Sequence, residues 1–277
     1  MYPALFIGPF TISTWRLVVL LAVISTWVLL LRRAGRLGYD TRDIFYWVAS
    51  GLVVGFVGGQ LFNVLIPYFS GPGTQSREVL TSGMTVVGSI VLCIAYSFLY
   101  LKYFLKLPVW PVMDAVAFTL PLPLFFGRIG CVLNGCCFGR VSPDWARSGL
   151  LSLFTIRKDS YAPNTFAHEQ LANVPGSTML WNFPMMEAVN ALLILILAEV
   201  LYRNRERWRI GSGAVFCITV SAYAFSRFFL EFFRDELLLS WAPLNPWQFG
   251  IFVLFLVFLA LSVRRFRASD VRRPPAG

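Results

Sequence analysis

Residues Trp181–Tyr202 read WNFPMMEAVNALLILILAEVLY. A helix needs about 20 apolar residues to cross the ~30 Å hydrocarbon core of a bilayer. This stretch supplies them with two charges, Glu187 near one end and Glu199 near the other. Six more runs of the same kind surround it: Ile12–Leu31, Ile44–Tyr68, Gly83–Leu101, Val112–Asn134, Gly211–Phe233 and Leu244–Val263. The pattern predicts an all-α polytopic membrane protein with seven transmembrane helices, one membrane domain spanning residues 1–277. Pro121 and Pro123 lie in the fourth run and remove backbone donors, so a kink or broken helix is expected there.

Composition agrees. Of 277 residues, 57% are hydrophobic and 14% charged, against about 25% charged in an ordinary soluble domain. So few charges could not cover a soluble surface, and mean hydropathy is +0.66. The 26 Phe, 9 Trp and 10 Tyr exclude a disordered chain. A net charge of +10 can mark nucleic-acid binding, but the positions of the charges argue otherwise. Arg32, Arg33, Arg36, Arg42, Lys102, Lys106, Arg203, Arg205, Arg207, Arg209 and five arginines of the tail fall on one side. The opposite side holds Arg77, Arg140, Arg147, Arg157, Lys158 and Arg234. The positive-inside bias therefore puts the N-terminus outside and the C-terminus in the cytoplasm, and no nucleic-acid partner is expected. The first run has no positive region before it and contains Arg16, so it reads as a retained span, not a cleaved signal. Residues 135–180, with the single histidine His168, form a long polar loop expected to make a small extracytoplasmic lobe or lid.

Ionisable side chains within spans are costly, so they usually face a cavity and pair. Orientation places Arg128 in the outer part of the fourth span, Glu187 at the outer start of the fifth, and Arg227, Glu231 and Arg234 rising to the outer end of the sixth. Arg227 and Glu231 share a helix face at i, i+4. Two readings stand: an ion-pair network tying helices together, or an anion site open to the outer leaflet. Arginine binds phosphate bidentately and stays charged when desolvated, which suits a phospholipid headgroup. Glu199, with Arg203 at i+4, reads as an interfacial pair at the inner end. Asp114 starts the fourth span and is placed to favour that helix's own N-terminal dipole.

The fourth run ends in Gly127-Arg128-Ile129-Gly130-Cys131-Val132-Leu133-Asn134-Gly135-Cys136-Cys137-Phe138-Gly139-Arg140. Its glycines permit close helix packing or close backbone approach to a ligand. Five cysteines occur in all, an odd number in a chain that is not small, so a disulfide framework is not expected. Burial is the plainest reading of Cys131, Cys136 and Cys137; a redox pair and metal ligation are the rivals. No His or carboxylate stands at a metal spacing beside them, so neither a metal nor another cofactor is expected. Cys93 and Cys217 lie mid-span as packing residues.

This stretch resembles the G-R-x-G-N-F-x-N-G-E-x-x-G-R motif of the prolipoprotein diacylglyceryl transferase family, with Gly127, Arg128, Gly130, Asn134, Gly135, Gly139 and Arg140 matching. Ile7-Gly8-Pro9-Phe10-Thr11-Ile12 is similar to the family's start. Leu107-Pro108-Val109-Trp110 with Asp114 resembles the segment leading into the motif. Glu187 falls where the family has a glutamate, Arg227-Phe228-Phe229-Leu230-Glu231-Phe232-Phe233-Arg234 is similar to its R-F-x-x-E-F-x-R, and Gln248 fits its last-span glutamine. The resemblance implies transfer of the diacylglyceryl group of phosphatidylglycerol to a lipobox cysteine of a prolipoprotein, forming a thioether and releasing glycerol phosphate. It implies a bacterial inner-membrane enzyme whose active site faces the extracytoplasmic leaflet. Arg128, Arg227, Glu231 and Glu187 would be catalytic, the carboxylates orienting arginines or moving protons. Arg128, Asn134, Gly135, Gly139 and Arg234 would bind the lipid. The resemblance is to a divergent form of the pattern: Val87 stands in place of the third-span His, Cys131 and Cys136 replace the motif's first Asn and its Glu, Trp15 aligns near a Tyr, Gln60 near an Arg, and Pro184 replaces a Gln. A lipid-binding relative with altered chemistry and a thiol redox membrane protein are the alternatives.

Overall fold

The computed structural model describes residues 4–7, 10–70, 86–161, 168, 171, 173–234 and 246–267, with side chains for these apart from 4–12, 62–70, 86–87, 246–247 and 267. The chain opens with an antiparallel hairpin, β1 (Ala4–Ile7) and β2 (Phe10–Ser13), in register Ala4↔Ser13 to Ile7↔Phe10. The first apolar run was expected to be helical from Ile12; strand pairing takes Ile12 and Ser13, and α1 spans Thr14–Arg36. Arg33 and Arg36 in its last turn face the negative end of the helix dipole. Next come α2 (Thr41–Ser70) and α3 (Val86–Leu99), the latter continued by a π-turn over Tyr100–Phe104.

The fourth run is broken, as its prolines predict. A short α4 (Val109–Ala115) ends where Val116 leaves helical geometry, and a 3-10 turn (Ala117–Thr119) follows. α5 (Pro121–Asn134) then starts on Pro121, whose missing N–H costs nothing in a first turn. The break falls before the prolines, which begin a helix instead of kinking one. After the lobe, with its antiparallel pair β3 (Thr155–Arg157) and β4 (Met179–Trp181), come α6 (Phe183–Asn204), α7 (Ala214–Leu230) with a 3-10 turn (Glu231–Phe233), and α8 (Pro246–Arg267).

Six described helices are long and apolar enough to cross a membrane, and Gly88–Phe104 is a shorter apolar helix. α5 packs between α1 and α6, α7 between α6 and α8, and α2 lies on α3. α7 is central: 56% of its span is buried, against 17–33% in the other five. The rest present Leu20, Leu21, Ile24, Leu52, Val53, Leu193 and Val257 outward, as a lipid-facing surface requires.

The main apolar core gathers at one end of the bundle around Leu30, Ile44, Trp47, Leu101, Val112, Phe118, Val215 and Phe258. Two polar contacts pin this end; one corrects the sequence expectation and the other adds to it. Asp114 does not serve its own helix: its carboxylate accepts from Gly213 N–H at 2.6 Å and Phe216 N–H at 2.8 Å, capping α7. The fold brings that N-terminus to it, 99 and 102 residues along the chain. Glu199 is held chiefly by Arg33 of α1 at 2.6 Å, with Arg203 more distant at 3.5 Å. Arg33 also donates to Ala115 O at 2.9 Å and lies 4.5 Å from the ring centres of both Phe118 and Tyr202.

Candidate active site

The opposite end of the bundle carries a second group of charges. Arg128 sits on α5, Glu187 on the first turns of α6, Arg227 on the last turn of α7, and Glu231 in the 3-10 turn beyond it. Glu187 bridges two helices: one carboxylate oxygen meets Arg128 Nε at 2.8 Å and the other Arg227 Nε at 3.3 Å. Arg227 also pairs with Glu231, and Glu231 with Arg234 at 3.7 Å. Glu187, Arg227 and Glu231 are 5%, 8% and 3% exposed. The Arg234 side chain, at 32%, is the open edge of the chain of pairs. Three guanidinium groups face two carboxylates, which leaves one positive charge on a network whose outermost member reaches solvent. Such an excess, next to low-dielectric walls, attracts an anion.

The backbone sets Arg234 in place. Gly139 and Arg234 form an antiparallel bridge. Arg140 N–H donates to Phe233 O, Arg140 Nε donates to Arg234 O and Gly139 N–H donates to Trp181 O, each at 2.9 Å. A side chain at Gly139 would place its Cβ 2.6 Å from Phe233 O and 2.8 Å from Trp181 Cβ. Gly139 is thus where three segments meet, and its contacts help set the position of Arg234. Gly135 ends α5 in the left-handed region at φ 69°, where Gly is the favoured residue. Asn134, the last residue of that helix, lies beside Cys136.

Two neighbours went unread in the sequence. Phe183, fully buried, lies under Arg227 at 5.3 Å and Arg234 at 5.7 Å, within the range of cation–π attraction. Tyr223 is buried among Arg227, Glu187, Arg128 and Glu231. Both stand four residues before a cluster member, Glu187 and Arg227, so the helical period is the signal that could have found them. Arg16 is exposed in the first turn of α1, away from mid-span. His168 lies partly buried in the lobe. Val87 stands in the first turn of α3, and its side chain lies outside the described residues.

The thiols do converge. Cys131, Cys136 and Cys137 place their sulfurs within 4.8 Å of one another. Cys136 Sγ donates to Cys131 O at 3.8 Å, and the adjacent Cys131 and Cys136 thiols, with Arg128 and Arg234 nearby, hold Cys137 below the usual thiol range despite burial.

A profile of the prolipoprotein diacylglyceryl transferase family matches residues 3–264. The chain belongs to that family. Among similar proteins, one from Allorhizobium ampelinum named phosphatidylglycerol–prolipoprotein diacylglyceryl transferase is 28% identical over 290 residues, covering 99% of this chain and 92% of that protein. Proteins of the same name from Clostridium tetani and Lactiplantibacillus plantarum are 26% and 25% identical, covering 89% and 95% of this chain and 91% and 88% of their own lengths. Membership of the transferase family and the six apolar helices make this a multi-pass membrane protein.

Proposed function

We propose that the chain transfers diacylglyceryl from phosphatidylglycerol to the thiol of a lipobox cysteine, forming a thioether and releasing glycerol phosphate. The carrying observation is the Arg128–Glu187–Arg227–Glu231–Arg234 network, with its excess positive charge and single open edge. A phosphodiester monoanion neutralises that excess. As the carbon–oxygen bond breaks, the departing phosphate gains a second negative charge, so the arginines hold the transition state more tightly than the lipid. Arg234, the most exposed, meets the phosphate first. Arg128 and Arg227 stand behind it, held by Glu187 and Glu231, whose oxygens are engaged by guanidinium groups and therefore orient them. Asn134 and Gly135 shape the headgroup side beyond the end of the helix.

In this reading the shorter Gly88–Phe104 helix completes seven spans within one membrane domain, with residues 135–180 as its extracytoplasmic lobe. The N-terminus lies outside, the C-terminus in the cytoplasm of a bacterial inner membrane, and the arginine network opens to the extracytoplasmic leaflet. Purified protein in phosphatidylglycerol vesicles, given a lipobox peptide, releases glycerol phosphate and yields a thioether adduct by mass spectrometry. Release vanishes in Arg128→Ala. Wild-type protein that leaves the lipid intact, or Arg128→Ala that turns over normally, overturns the assignment.

A further inference from the structure

The three thiols at the edge of the arginine network have no part in the mechanism above. Cys131 is buried in the last turns of α5, and Cys136 and Cys137 follow it partly buried. The backbone is folded to bring them together: Gly135 and Cys136 both donate N–H to Cys131 O, at 3.0 and 3.3 Å. Cys137 takes φ 60°, a left-handed conformation that costs a non-glycine residue about 1–2 kcal/mol.

We propose that Cys131, Cys136 and Cys137 form a three-thiolate Zn2+ site whose fourth position receives the thiol of the acceptor peptide. The idea rests on the transferase reading for its substrate and on the thiol geometry for its metal. Tetrahedral zinc with Zn–S near 2.3 Å sets its sulfurs about 3.8 Å apart. The observed separations, all within 4.8 Å, close to that with about half an ångström of movement at each sulfur in the widest pair. Three protein ligands and an open position are the arrangement of catalytic zinc; structural sites have four. Among the described residues no His or carboxylate joins the group. Three thiolates on Zn2+ leave one negative charge, and Arg128 and Arg234 lie beside Cys137.

The site supplies what the arginine network lacks. Both carboxylates there are engaged by guanidinium groups, so the acceptor thiol needs another means of ionising. A thiol bound to zinc loses its proton outright, here to solvent, as the three protein thiols do when the metal binds. The coordinated sulfur then attacks the diacylglyceryl methylene, and the carbon–oxygen bond to phosphate breaks with the electron pair leaving on oxygen. The neutral thioether, a weaker ligand, departs, and zinc keeps its oxidation state.

Full-length protein purified in detergent without chelator is assayed for metals by mass spectrometry. One zinc per chain is expected, lost in Cys136→Ser and Cys137→Ser, with thermal unfolding checked to show that the variants fold. Replacement by Co2+ is expected to give thiolate charge-transfer and tetrahedral d–d bands. Those d–d bands shift when the lipobox peptide is added and stay unchanged with a Cys→Ser peptide. Glycerol phosphate release from metal-free protein, unaffected by chelation, overturns the zinc site and leaves the transferase standing. Bound zinc with a peptide-responsive spectrum but intact phosphatidylglycerol upholds the site and overturns the transferase reading. Copper(I) alone, which three sulfurs saturate in a plane, or a Cys136–Cys137 disulfide in place of metal, overturns the proposal.

Discussion

Glutamine in place of Glu187 removes one charge at the junction of three helices without changing the shape there. Glu187 is 5% exposed and its carboxylate pairs with Arg128 Nε at 2.8 Å and with Arg227 Nε at 3.3 Å. Glutamine offers one oxygen and one NH2, so one of the two guanidinium groups must meet a donor. Arg227 keeps Glu231, whereas Arg128 loses the carboxylate that holds it. Removing one partner of a buried ion pair costs about 3–5 kcal/mol in soluble proteins; single hydrogen bonds inside membranes average about 0.6 kcal/mol and reach about 1.7. Two bonds are touched, and a buried guanidinium is left uncompensated, so the lower end of the ion-pair range prevails, about 3 kcal/mol. At about 2–4 °C per kcal/mol that lowers the unfolding temperature by about 6–12 °C. Arg128 is no longer held against the leaving phosphate, and an ångström of misplacement costs on the order of 100-fold in turnover. Thermal unfolding in detergent and glycerol phosphate release measure the two effects. Glu199→Gln, at the far end of the bundle where the carboxylate is 23% exposed, serves as the control and loses less of both. Wild-type unfolding and turnover in Glu187→Gln would refute the bridging role and the electrostatic reasoning built on it.

Three further outcomes follow from the same geometry. Arg234→Ala leaves the unfolding temperature nearly unchanged, because its side chain is 32% exposed and its pair with Glu231 is long at 3.7 Å, but slows glycerol phosphate release about 100- to 1000-fold; Arg234→Lys restores part of it. Gly139→Ala drives a Cβ against backbone at 2.6 Å, costing about 1–3 kcal/mol and displacing Arg234, so unfolding temperature and turnover fall together. Asp114→Ala uncaps α7 and costs about 1–2 kcal/mol in the unfolding curve, while the KM for phosphatidylglycerol stays at the wild-type value because the cap lies at the other end of the bundle.

Much of the site was legible from order along the chain. Most of the apolar runs are largely helical, so depth follows from position within a run. Arg128, Glu187, Arg227 and Glu231 could be set at one level because alternating helix directions bring the end of one run beside the start of the next. The partners were less legible. Asp114 was matched to its own helix, and Glu199 to the arginine one turn away, since spacing reveals only neighbours at i, i+3 and i+4. The cap Asp114 makes on α7 and the closer partner of Glu199, Arg33 of α1, lie far along the chain; the Arg203 pair that spacing suggested is also present. The opening hairpin was hidden because its residues are as apolar as the span they precede. The packing of Gly139 against Trp181 and Phe233 was not legible either, since no local pattern connects those residues to it.

By itself the sequence determined that this chain crosses a membrane and that Arg128, Glu187, Arg227 and Glu231 gather at one end. Hydrocarbon tolerates no unpaired backbone and few charges, so apolar length and charge placement have a single reading. Only the tertiary structure decided which charge holds which, that Glu187 bridges two arginines, and that Cys131, Cys136 and Cys137 converge. Those contacts depend on helix rotation and on two left-handed residues, Gly135 and Cys137, in one short turn, and packing across the bundle sets them, not periodicity along it.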